Sequence, residues 1–258
     1  MPVRDELGKR MKLFYEGIPK TKLMRRTPVM IRIDGKAFHT FTRGFNKPFD
    51  EVLMKAMQET MKYLCKDIQG CVFGYTQSDE ITLVLVDYQT LTTAAWFDYE
   101  VQKLSSIAAS MATMVFNKEF KKAVEEFDIE AGNFAKNIDQ LEVYYKALNQ
   151  GAMFDARCFN VPKEEVTNFV YWRQLDATRN SIQMVGQANF SHRELQGKSC
   201  NQIQDMLHEQ KGINWNDFSI AQKRGSACIK KDGEWVIDLE MPILKGEDRE
   251  YVDKLIYI

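Results

Sequence analysis

The stretch Cys71–Val86, CVFGYTQSDEITLVLV, decides the fold. Its flanks, CVFGY and ITLVLV, are rich in β-branched and aromatic residues and enclose the polar group TQSD, the pattern of a hairpin. Upstream, Val29–Ile33 is another apolar, β-rich run. Between the two, across residues 49–68, Val52, Leu53, Ala56, Met57, Met61, Leu64, Cys65 and Ile68 recur at helical spacing. Downstream, a second helical stripe from about Phe97 to Phe116 is marked by Val101, Leu104, Ile107, Ala108, Met111 and Val115. A polar, helix-biased segment to Gln150 follows, and then AMFDARCFNV, Ala152–Val161, reads as a strand. The order β-α-β-β-α-β predicts the α+β class and a ferredoxin-like arrangement, with both helices on one face of an antiparallel sheet.

In that arrangement the first strand lies between the third and the fourth, so its C-terminal end comes close to the hairpin turn. Asp34 and Asp79 occupy those two places. Carboxylates brought together repel, and the usual remedies are a shared proton, a basic partner or a divalent cation. Mg²⁺ suits one or two carboxylates with waters and phosphate oxygens, and the carbonyl of Gly35 is an available extra ligand. The amides after Asp34, with Lys36, Lys47 and Ser78, are candidate phosphate donors. Asp34-Gly35 and Ser78-Asp79 are equally ordinary turn chemistry, and spacing alone leaves both readings open. Glu80 points to the opposite face from Asp79 if the strand has begun, as a third ligand through a bent turn or as a structural residue. His39, a lone histidine on a semi-apolar segment, reads as packed rather than catalytic.

The last hundred residues look appended. Pro162 begins a helix through Lys163–Ile182, Ser199 caps another at CNQIQDMLHEQ, and SACIKKDGEWVIDL is a hairpin turning at Asp232-Gly233. No Gly/Ser-rich linker intervenes, so one compact body is expected.

At 258 residues, 45% hydrophobic and 28% charged, the chain is long enough for a sizeable core. Net charge is −1, yet the first 48 residues carry twelve basic against four acidic side chains, an asymmetry that suits a polyanion on one side of the molecule or a solvated basic face. The five cysteines show no C-x-x-C spacing and read as reduced core thiols. With no apolar signal core and no run approaching ~20 apolar residues, a soluble, cytoplasmic protein is expected.

RIDGKAFHTF, FNKPFD, GYTQSDEITLVL and WRQLDATRN, in that order, resemble the signature of the tRNA-histidine guanylyltransferase family, which adds nucleotides to the 5′ end of tRNA in the 3′-to-5′ direction. The resemblance implies a polymerase- and cyclase-type palm in residues 1–160, with its basic N-terminal segment, and a tRNA-contacting region in 161–258. It implies two Mg²⁺ bound by Asp34, the Gly35 carbonyl and Asp79, with Glu80 beside them as a third catalytic carboxylate. Nucleotide would be held by Asp34, Gly35, Lys36, Ala37, Phe38, His39, Ser78 and Asp79, with Phe45 near the base and Lys47 on the triphosphate. Arg32, Arg157, Arg179, Asn180 and Lys198 would contact tRNA. Family members activate a 5′-monophosphate tRNA with ATP and then let the 3′-hydroxyl of GTP or another nucleoside triphosphate displace AMP; a 5′-triphosphate end loses pyrophosphate instead.

Eukaryotic members carry His-Ile-Asn-Asn-Leu-Tyr-Asn after Trp-Arg-Gln, whereas here Thr178–Met184 follows and only Asn180 keeps its register. That departure favours the bacterial and archaeal-type branch, which repairs 5′-truncated tRNAs by templated addition. A strict histidine-tRNA guanylyltransferase and a nucleotidyl cyclase on the same palm are the alternatives. On the residues themselves, Arg173 and Arg179 suit phosphates, and Trp172 reads as a core residue or a stacking platform. Family members are typically tetramers, and Leu13, Phe14 and Leu23 among basic residues are candidates to cover a neighbouring subunit.

Overall fold

The computed structural model describes residues 5–131 and 135–258. The strands are β1 (Val29–Gly35), β2 (Cys71–Gln77), β3 (Glu80–Leu85), β4 (Phe154–Asn160), β5 (Ser226–Lys231) and β6 (Glu234–Asp238). The helices are α1 (Glu6–Met11), α2 (Phe38–Phe41), α3 (Glu51–Asp67), α4 (Val101–Ala131), α5 (Ala135–Gln150), α6 (Lys163–Asn189), α7 (His192–Leu195), α8 (Cys200–Lys211), α9 (Ile220–Arg224) and α10 (Glu250–Ile256). The six strands form one sheet in the order β4-β1-β3-β2-β5-β6, every neighbouring pair antiparallel. Its first four strands are the ferredoxin-like core that the β-α-β-β-α-β order predicts.

Three boundaries move, each for a physical reason. β1 continues through Asp34 and Gly35 because β3 and β4 flank it there: Asp34 sits opposite both Glu80 and Asp155. The TQSD loop shrinks to Ser78-Asp79, since Thr76 and Gln77 pair with Ile81 and Glu80. α4 runs on past Phe116 because Phe120, Ala123 and Val124 extend its buried stripe with no breaker residue between.

α3 starts at an N-cap, Asp50, whose carboxylate accepts the Leu53 amide at 2.9 Å. Its buried face of Val52, Ala56, Met57, Met61, Leu64 and Cys65 packs with α4 over Ile31, Ile33, Leu83 and Leu85. The opposite face is covered as well. Met30, Phe73, Tyr75 and Val84 lie under Val166 and Val170 of α6 and Val252 and Ile256 of α10. Being enclosed on both sides explains why every residue of β3 is buried. The C-terminal hairpin joins the same sheet through β5 on β2, turning at Asp232 (φ 51°) and Gly233 (φ 87°), both left-handed as a two-residue turn requires.

Cys65, Cys71 and Cys228 are buried, Cys158 and Cys200 half-buried, and all five are free thiols. α1 and the turn of π-helix after it bury no residue; Leu13 and Phe14 are exposed, while Leu23 packs on the core. Among the described residues no helix is long and apolar enough to cross a membrane.

Candidate active site

The end of β1 and the β2–β3 turn are tied together by the Gly35 amide, which donates to the Asp79 carbonyl at 3.0 Å. The next amide, of Lys36, donates to Met153 O at 2.8 Å. The chain then reverses through Ala37 in a left-handed conformation (φ 52°) into α2. Gly35 has to be glycine: a Cβ there would stand 2.2 Å from the Phe38 ring, which folds back beneath the strand end. With Gly35 and Lys36 engaged, the amides of Ala37, Phe38 and His39 have no backbone partner among the described residues, leaving three donors for phosphate oxygens.

Asp34 and Asp79 thus meet at one end of the sheet. Burial pushes the Asp79 carboxyl up from its ordinary range and the charge of Asp34 adds to this, while Ser78 Oγ, donating to Asp79 Oδ1 at 3.1 Å, works against it. Among the described residues no cationic side chain hydrogen-bonds either carboxylate. The nearest cation, Arg157, stands 4.0 Å from Asp34 and 3.2 Å from Asp155. No group of three or more His, Cys, Asp or Glu is gathered as a metal centre among the described residues. Two carboxylates without a hydrogen-bonded cation, next to the Gly35 carbonyl, fit a hard divalent ion that completes its shell with water and phosphate rather than a closed protein cage.

Beside the pair opens a cleft of about 750 Å³. Of the residues the sequence nominates for nucleotide, Gly35, Ala37, Phe38, His39, Phe45, Lys47, Ser78 and Asp79 line it; Asp34 and Lys36 stand at its edge and do not. His39 is exposed, which corrects the expectation that it packs. Phe45 is buried, stacked on Phe120 at 5.7 Å between ring centroids and edge-on to Tyr144 at 5.2 Å, so it supports the cleft from below. Thr42, Arg43, Gly44, Asn46, Pro48, Asp50, Leu53, Met184 and Gln187 complete the lining and were not nominated. Asp50 carries a local signal, an N-cap residue just ahead of a helical stripe. Met184 and Gln187 carry none, because only the tertiary course of α6 brings them here.

Glu80, nominated as a third catalytic carboxylate, is held in an ion pair and does not line the cleft. Its oxygens accept Arg173 Nε at 2.7 Å and Nη2 at 2.8 Å, a bidentate pair in which both residues are buried. Burial pushes the Glu80 carboxyl up and Arg173 and Arg32 draw it back. Burial also opposes the Arg173 charge, and Glu80 with Asp176 more than offsets it. Arg173 is therefore not a phosphate contact. Arg32, nominated for tRNA, stands with its Nε 3.5 Å from Glu80 Oε2. Trp172 is half exposed rather than in the core, with the Arg173 guanidinium 4.6 Å from its ring centre. Arg179 and Asn180 both reach Asp176 on the same helix, and Lys198 is exposed before the Ser199 cap of α8.

Residues 8–162 match the family described as tRNAHis guanylyltransferase. A bacterial tRNA(His) guanylyltransferase-like protein solved in complex with ATP is similar over 98% of this chain and 100% of its own, at 42% identity and a TM-score of 0.84. The GTP complex of such a protein shows 39% identity over the same shares, at a TM-score of 0.78. An uncharacterized protein of Acanthamoeba polyphaga mimivirus is 30% identical over 240 residues, 89% of this chain and 78% of that one. The tRNA(His) guanylyltransferase of Saccharomyces cerevisiae is 27% identical over 79% of this chain and 82% of its own. The motifs, the palm-like sheet and more than half the chain agree: this protein belongs to the tRNAHis guanylyltransferase family and is a nucleotidyltransferase.

Proposed function

We propose that the protein adds nucleotides to the 5′ end of truncated tRNA, in the 3′-to-5′ direction and opposite a template base, after ATP-dependent adenylylation of a 5′-monophosphate. The observation that carries this reading is the meeting of Asp34 and Asp79, neither hydrogen-bonded to a cation among the described residues, at a cleft large enough for a nucleoside triphosphate. Two Mg²⁺ held by Asp34, Asp79 and the Gly35 carbonyl would supply charge neutralisation, activation of the attacking hydroxyl and stabilisation of the leaving group. Lys47, Ser78 and the unpartnered amides of Ala37, Phe38 and His39 bind and orient the triphosphate, and Lys36 adds positive charge at the edge. Phe45 shapes the base end from beneath the loop. Arg157, beside Asp34, and the exposed Lys198 serve the tRNA backbone; Arg179 and Asn180 do so from α6.

Two features support repair over strict histidine-tRNA specificity. Thr178–Met184, where eukaryotic members carry their own motif, continues α6 and buries Ser181 and Ile182. The bacterial guanylyltransferase-like structures are also more similar than the yeast enzyme, at 42% and 39% against 27% identity. The exposed Leu13 and Phe14 support a homotetramer in which the N-terminal segment covers a neighbour. The test is extension of a 5′-monophosphorylated tRNA lacking its first nucleotide, with ATP, Mg²⁺ and each nucleoside triphosphate in turn. Addition only of the complementary nucleotide is expected. Guanosine added whatever the opposing base would make it a guanylyltransferase in the strict sense.

A further inference from the structure

Behind the cleft loop lies a polar cluster that the chemistry above does not use. Asp50 is 5% exposed, and its two oxygens accept three hydrogen bonds. Oδ1 takes the Leu53 amide at 2.9 Å, the cap of α3. Oδ2 takes the Asn46 amide at 2.9 Å and the Tyr144 hydroxyl at 2.7 Å, and that hydroxyl accepts Asn46 Nδ2 at 3.0 Å. A helix cap needs only the first of these. The others bind the residue just before Lys47 to a helix about a hundred positions downstream.

Tyr144 itself is fully buried, edge-on to Phe45 and Phe127. Burial, and after it the hydrogen bond to Asp50, hold its phenol above the ordinary value, so it remains a donor at any working pH. Around it α5 touches the loop twice more: Gln140 Nε2 donates to Gly44 O at 3.4 Å, and Val143 packs against Gly44. α5 thus meets residues 44, 45 and 46 in succession, and Asn46 and Lys47 both emerge exposed on the cleft side.

We propose that Tyr144 is a positioning residue for nucleotide binding: through Asp50 and Asn46 its hydroxyl fixes the path of Phe45–Lys47, so that Lys47 is presented to the triphosphate. This rests on the reading of the cleft as the nucleoside triphosphate site. Removing the hydroxyl leaves Asp50 Oδ2, on a buried carboxylate where a lost partner is costly, with one donor, and frees Asn46 Nδ2 from the brace. The aromatic packing of Phe45 is retained, so the loss falls on loop geometry rather than on the core.

The experiment measures equilibrium ATP binding, tRNA binding and steady-state kinetics for the wild type, Tyr144→Phe, Asn46→Ala and their combination, with Lys47→Ala as the reference. For Tyr144→Phe the expected result is ATP affinity and KM worse by roughly tenfold, with kcat and tRNA affinity within about twofold. The double variant should be little worse than either single one, because the two residues share a network. Unchanged ATP affinity, a loss confined to kcat, or full additivity would each overturn the proposal. If Tyr144→Phe folds poorly, Asn46→Ala, an exposed position, carries the test: ATP affinity equal to wild type sinks the brace. Should Lys47→Ala weaken ATP binding while Tyr144→Phe does not, only the brace fails. Should the wild type not bind ATP, or Lys47→Ala bind it equally well, the cleft reading fails and the brace with it.

Discussion

Asp79 and Glu80 are neighbours in the chain, yet they stand in opposite electrostatic circumstances. On the α6 side, Glu80 is enclosed by Arg173, with Arg32 and Asp176 around it, and every strong charge has a partner. On the cleft side, Asp79 faces Asp34 with a serine hydroxyl for company. A fold under pressure only to be stable would treat both carboxylates alike. That it pairs one with a cation and leaves the other without one is what the proposed reading requires, with the cleft side as the working side and the α6 side as its anchor.

The sharpest way to break this comparison is to neutralise each carboxylate in turn. Asp79→Asn and Asp34→Asn should each lower nucleotide addition by about three orders of magnitude or more, since both positions are proposed to serve charge neutralisation in transfer. Their unfolding free energy should stay at or slightly above wild type. Glu80→Gln should lower addition by no more than about tenfold, through loosened positioning. Equal loss at all three positions in an extension assay would make Glu80 a metal ligand after all and abolish the contrast.

The anchor is tested by stability. Arg173→Ala leaves Glu80 buried without its cation and should cost about 3–5 kcal/mol in denaturant unfolding. The double change Arg173→Met with Glu80→Leu removes both charges and should recover most of that loss. A small effect from Arg173→Ala alone would mean that Arg32 or water can replace it, and that the two sides differ less than their geometry implies.

These residues also show how far the sequence was legible. The strand order followed from periodicity, because the apolar stripes of α3 and α4 and the runs around Ser78-Asp79 each bury one face or both, and burial writes itself into spacing. The meeting of Asp34 and Asp79 followed from topology alone. What the sequence could not supply was partner choice. Arg173 reads as a phosphate contact until β3 and α6 are seen to pack, and nothing in the polar, helix-biased segment before Gln150 shows that the Tyr144 hydroxyl meets Asp50. Both contacts span more than ninety residues, and no local pattern encodes which distant group a buried side chain will meet.

A weaker but more specific effect is the pH dependence of the cleft side. Asp79 has its folded pKa above its unfolded value, because of burial first and Asp34 second. The native state therefore holds the extra proton in the window between the two values, and unfolding free energy falls as pH rises through it. Above the folded pKa the penalty is fully present; below the unfolded value it is gone. Without divalent ions, wild type should gain stability relative to Asp79→Asn as pH falls through that window. At neutral pH, Mg²⁺ should raise the melting temperature of wild type and leave Asp79→Asn nearly unmoved. If chelator and Mg²⁺ give the same melting curve for wild type, the pair is not a cation site.

The smallest effect separates charge pairs that look alike on α6. Asp176 receives both Arg173, which is buried, and Arg179, whose side chain is 61% exposed. An exposed pair within one helix is screened by water and contributes at most about 0.5 kcal/mol, so Arg179→Ala should leave unfolding nearly unchanged. If Arg179 serves tRNA instead, its loss should appear in the salt dependence of binding, lowering the slope of log affinity against log salt by about one. Unfolding and binding thus move in opposite proportions for the two arginines: Arg173 is read out in stability, Arg179 in counterion release. An Arg179→Ala protein that is destabilised like Arg173→Ala, with an unaltered salt slope, would place Arg179 in the anchor and withdraw it from the RNA surface.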